Sequence, residues 1–180
     1  MPARATLASV EDVPTSKRPP AGPRFPFQDW PVQLSTSFGY VWYTSPGVFV
    51  SQLVIERARL EDARKLTSLI DEVIRIKQDD LKSHDGLLIL HDWKILKTYD
   101  APARGHLFAH TRTRKAGDVR AVVVSLTLTP LLRMAVEAGN ALLTVTTGRS
   151  VEIVQAISSA LGKYGVERPS DGRALRGLSA

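Results

Sequence analysis

The run Gly86-Leu87-Leu88-Ile89-Leu90-His91-Asp92-Trp93, continued by Lys94-Ile95-Leu96-Lys97-Thr98-Tyr99-Asp100-Ala101-Pro102-Ala103-Arg104, constrains everything around it. Four aliphatic residues in a row after a glycine predict a strand covered on both faces, because a strand with one wet face alternates apolar and polar residues. Asp100 stands two residues before Pro102. Its carboxylate is placed to accept from a first-turn backbone N–H, and a proline there costs no intrahelical bond, so a helix starts at this point. The stretch reads as strand, exit loop and helix N-terminus. In an open α/β sheet the carboxyl ends of the strands are where ligands and partners are met.

Outward from this centre, residues 37–55 predict an antiparallel hairpin. Phe38, Tyr40 and Trp42 alternate with Gly39, Val41 and Tyr43, Pro46 and Gly47 supply the turn, and a second β-rich run follows from Val48. Residues 60–81 carry Leu60, Ala63, Leu66, Ile70, Val73 and Ile74 at spacings of three and four, with Glu61 and Asp62 at the start, and predict an amphipathic helix. Beyond the central stretch, the helix opened by Asp100 is expected to close through Arg112, Arg114 and Lys115 to Gly117. Residues 119–126 predict a second buried strand. Thr129-Pro130 then reads as a cap and first helical residue, and residues 131–138 as a short helix ended by Gly139-Asn140. Residues 141–147 read as a further strand, and Ser150 as the cap of a last helix lined by Ile153, Ile157, Ala160, Leu161 and Tyr164.

The expected fold is therefore α/β, a mixed sheet of about five strands, hairpin first and parallel strands after, with about four helices. Residues 1–33 hold seven of the eleven prolines and are expected as a disordered leader. Phe25, Phe27 and Trp30 within it are expected to pack on the domain edge. The piece from Arg18 to Arg24, rich in proline and flanked by cations, could also present a polyproline surface. Residues 34–166 form the domain, and residues 167–180 a disordered tail.

The central stretch resembles the signature of the STAS domain, the fold of anti-sigma factor antagonists and of the cytoplasmic tails of sulfate transporters. That signature runs Asp, apolar, small polar, any, apolar, two of any, apolar, Asp, Ser, Ser, Gly. Asp92, Trp93, Lys94, Leu96, Tyr99 and Asp100 take these places in register, while Ala101, Pro102 and Ala103 replace the two serines and the glycine. The resemblance extends in element order over residues 37–165. It implies a STAS-like fold and a protein-binding surface at the loop and helix start formed by Lys97, Tyr99, Asp100, Pro102 and Arg104. The second serine is the family's phospho-acceptor, and Pro102 in its place implies that phosphorylation does not control this surface.

Composition bounds the function. The chain of 180 residues contains no cysteine, so disulfides, thiolate metal sites and cysteine nucleophiles are excluded. No apolar run is long enough for a signal peptide core or a membrane span, and a cytoplasmic location is expected. The net charge of +6 is spread, with +2 in residues 1–24 and +2 in residues 163–180, and no dense cationic stripe for nucleic acid appears. His106 and His110 share a helical face, but no glutamate follows His106 and no third ligand is evident, so no metal site and no cofactor are expected. Phosphate-cradling loops and nucleophile elbows are missing too, and Asp92 and Asp100 are read as a loop-ordering residue and a helix cap rather than an acid-base pair. The expectation is a non-enzymatic regulatory module with a protein partner. The alternatives are a carrier of a lipid or other small apolar ligand, with Phe38, Tyr40, Trp42 and Tyr43 as pocket walls, or a structural subunit of a larger assembly, a homo-oligomer included.

Overall fold

In the computed structural model, which describes residues 22–115, 117–127, 130–147 and 150–178, one six-stranded sheet carries the molecule. The elements in chain order are β1 (Leu34–Ser35), β2 (Gly39–Thr44), β3 (Val48–Leu53), β4 (Arg57–Ala58), α1 (Leu60–Ile76), α2 (Gln78–Lys82), β5 (Leu87–Trp93), β6 (Thr98–Tyr99), α3 (Ala101–Thr113), β7 (Val119–Leu126), α4 (Pro130–Thr147), β8 (Val151–Val154) and α5 (Ile157–Lys163). The strand order is β1-β2-β3-β5-β7-β8; β1, β2 and β3 pair antiparallel and the rest parallel, and β4 and β6 make a separate parallel pair. An antiparallel hairpin followed by parallel strands is the architecture expected from the sequence.

The aliphatic run forms the centre. β5 lies between β3 and β7, and its side chains divide between two cores. Leu87 and Ile89 join Phe38, Val41, Phe49, Leu66, Ile70 and Val73 on the face covered by α1 and α3. Leu88 and Leu90 join Tyr40, Trp42, Val50, Val123, Ile157 and Ala160 on the face covered by α5. Gly86 admits the chain to this strand: its φ is +98°, and a Cβ would sit 2.3 Å from the carbonyl oxygen of Gly117, so only glycine fits. The helix expected over 60–81 is two helices, because α1 stops at Lys77 and α2 resumes at Gln78.

The last third departs from the sequence reading. Residues 141–147 belong to α4, which runs through Gly139-Asn140 without stopping, and the last strand is β8, within the stretch expected as helix. Asn140 does not cap a helix: its amide accepts from Val151 N at 2.7 Å and donates to Val151 O at 2.9 Å, pairing with backbone at the start of the edge strand. Val151, Ile153 and Val154 are β-branched and suit a strand, and the four-residue spacing from Ile153 to Ile157 arises across a strand-to-helix junction. Thr129, expected to cap the helix that begins at Pro130, lies outside the described residues.

Both expected termini also move. Phe27 is fully buried, stacks on Trp42 at 5.0 Å and meets Trp30 edge-on at 4.9 Å, while Trp42 Nε1 donates to Pro31 O. Phe25 is 72% exposed and does not pack. Residues 22–33 thus belong to the domain, and residues 1–21, with most of the polyproline piece, lie outside the described residues. At the other end Leu175, 1% exposed, sits in the first core, and Thr44 Oγ1 and Gln33 Nε2 donate to the carbonyls of Glu167 and Asp171. A segment rich in glycine and proline is held here by one buried leucine and by side chains reaching its backbone, neither of which periodicity reveals.

Candidate functional site

The loop between β5 and α3 is tied down at both ends. Lys97 N and Thr98 N donate to Glu56 O, and Asp100 N donates to Ala58 O, the hydrogen bonds that pair β6 with β4. Asp100 Oδ1 accepts from Ala103 N at 2.7 Å, so the carboxylate serves as the helix cap that the sequence implied, with Pro102 in the first turn. Pro102 and Arg104 are exposed. Lys97 is exposed and paired with Glu56 at 2.8 Å, worth little at a solvated surface. Tyr99 is half-buried and packs against the first core; burial raises its hydroxyl pKa, against the opposing effect of the Arg104 charge, and the Arg104 guanidinium lies 5.8 Å from its ring centre. Of the five residues, Lys97, Pro102 and Arg104 present themselves outward, Tyr99 braces the loop from within, and Asp100 is spent on the helix.

Asp92 does not order the loop. It is the last inward residue of β5 on the α5 face, where Gln52 Nε2 donates to its Oδ2 at 2.8 Å and Gln52 Oε1 in turn accepts from Arg24 N at 2.7 Å. The relay pins the leader to the sheet. His106 and His110 tie α3 to α1: His106 Nε2 meets Thr67 Oγ1 at 2.9 Å and His110 Nε2 meets Asp71 Oδ2 at 2.7 Å.

The sequence reading passed over the carboxyl end of β5 on its other face. His91 is buried, its Nδ1 lies 2.7 Å from Ser51 Oγ on neighbouring β3, and its ring stacks on Trp93 at 4.8 Å. Burial, with the Arg114 charge second, pushes its pKa down to about 3, so the ring is neutral at physiological pH. Two adjoining clefts meet at this histidine. One, of about 410 Å³, lies between α1, α3 and the strands β7 and β8; the other, of about 190 Å³, lies between α3, α4 and the ends of β5 and β7. His91, Leu107, Thr111, Val122 and Val151 line both, and Tyr99 and Arg104 line the smaller. Phe38, Tyr40, Trp42 and Tyr43, expected as pocket walls, are instead core residues on two different faces of the sheet. The available signal was a histidine at an inward position of an otherwise aliphatic strand.

A solved structure is similar to this chain. It is that of the anti-sigma factor antagonist SpoIIAA in its unphosphorylated form, matched with a TM-score of 0.47 and 11% sequence identity over 72% of this chain and 99% of that one. No family model matches the chain, and no curated protein matches it in sequence. Among the described residues no helix is long and apolar enough to cross a membrane.

Proposed function

We propose that the chain is a non-enzymatic interaction module of a regulatory kind, located in the cytoplasm, whose protein partner is met at the start of α3. The observation that carries this reading is the division of labour in the loop. Asp100 and the β4–β6 pair hold it rigid from within, which leaves Lys97, Pro102 and Arg104 directed outward at a site the core does not need. A rigid loop presenting an arginine lowers the ordering cost of association, and arginine is among the residues most enriched at interface hot spots. The exposed Met134, Leu142 and Val145 of α4 add apolar surface that a partner or a second copy would cover. Pro102 offers no hydroxyl, so binding here is constitutive or controlled from elsewhere in the chain. Nucleic acid is not part of the reading, since the positive charge is dispersed.

The test is affinity capture from the native cell with full-length wild type and Arg104→Ala as parallel baits. A protein retained by the wild type and lost with the variant, at equal melting temperature, supports the reading. An identical set retained by both removes the proposed surface.

A further inference from the structure

The two clefts that meet at His91 differ in chemistry. The smaller is walled mainly by apolar side chains, Trp93, Leu107, Phe108, Val124 and Leu126 among them, with Arg104 also on its lining. The larger presents Thr67, His110, Thr111, Arg114, Arg120 and Glu152 beside its aliphatic floor, and its volume falls within the range of about 300–1,000 Å³ usual for small-molecule sites. Its charges do not cancel evenly. Glu152 is held by Lys163 at 2.8 Å and by Tyr164 at 2.8 Å, and Arg114 is 3.3 Å from Asp71. Arg120 is exposed and makes no ion pair among the described residues, which leaves one cation at the mouth. At the junction His91 has its Nδ1 taken up by Ser51, and its Nε2 has no hydrogen-bond partner among the described residues. With the Ser51 hydroxyl donating to Nδ1, Nε2 carries the proton and offers one hydrogen bond into the cleft.

We infer that the joined clefts beneath α3 bind a single amphipathic carboxylate, its apolar chain in the smaller cleft and its carboxylate in the larger, met by Arg120 and by His91 Nε2. A neutral imidazole suits this place, because it donates to the carboxylate without adding a second buried charge. Tyr99 and Arg104 also line the smaller cleft, so the variants that test this site lie at Arg120 and Trp93, away from the start of α3.

Dodecanoate is a direct probe. Titrated calorimetrically into the full-length protein, it is expected to saturate at one molecule per chain, with dodecanol roughly tenfold weaker, equivalent to about 1.4 kcal/mol. Arg120→Gln, at an exposed position, should close that gap while leaving the melting temperature unchanged. Dodecanoate carrying bromine on its terminal carbon should quench tryptophan fluorescence through Trp93, since Trp30 and Trp42 lie in the core on the other face of the sheet; Trp93→Phe should abolish the quenching. The proposal is overturned if dodecanoate does not saturate, if the alcohol binds as well as the acid, or if quenching survives in Trp93→Phe.

Discussion

The two faces of the sheet are closed in different ways. On the α5 face, Phe27 and Trp30 from the leader pack against Trp42 of β2, and this aromatic block completes a core that α5 alone is too short to cover. On the opposite face α1 and α3 seal the sheet from β2 to β5, but over β7 and β8 the covering gives way to the two clefts around His91. The first face spends its residues on packing and the second leaves room for something else. The contrast sets a closed, packed face against one that holds open clefts, and it can be broken at several points.

The largest effect is expected at Phe27. Its side chain is fully buried and stacks on Trp42, so Phe27→Ala should destabilise by about 3–5 kcal/mol, read from the denaturant midpoint. A loss near that of an exposed residue would return the leader to the solvent and undo the comparison.

Next comes the acid limb of the stability curve, set by the cleft face. His91 titrates near 3 when folded and near 6.5 when unfolded, so between these values the unfolded chain binds the extra proton. The contribution of this group is fully present above about pH 6.5 and is lost as pH falls toward 3. His91→Gln should therefore flatten the fall in stability across that window; an unchanged slope would mean that the ring is not desolvated as described.

Asp100→Ala removes the cap that accepts from Ala103 N and should cost about 1 kcal/mol, a shift in melting temperature of a few degrees. Ser in its place should recover most of the loss, because a hydroxyl also accepts from the first turn.

Much of this was legible in the sequence, and the pattern of success has physical causes. The aliphatic run of β5, the alternating aromatics of β2 and the aspartate two residues before a proline at α3 are local signals, each set by one interaction that the sequence states outright. The last third was read in reverse because its local signals conflict with its surroundings. Thr144, Val145, Thr146 and Thr147 favour a strand, yet they end α4, while β8 finds its place through pairing with β7 and through the Asn140 amide. Intrinsic preference is a weak term where tertiary pairing competes with it. Leu175 and the clefts were invisible for a related reason: both depend on how distant segments meet. At the loop itself the cap and the outward arginine could be read, whereas the choice between core and partner surface for Tyr99, which stands at an apolar place of the signature, could not.

We propose that the start of α3 serves a partner and not the fold. Arg104→Ala is the most direct test, since the side chain is exposed and its guanidinium lies 5.8 Å from the Tyr99 ring centre. Melting temperature and retention of native partners should be measured on the same full-length preparation. A stability change within about 0.5 kcal/mol together with loss of the captured protein is expected. Unchanged capture at unchanged stability would contradict it.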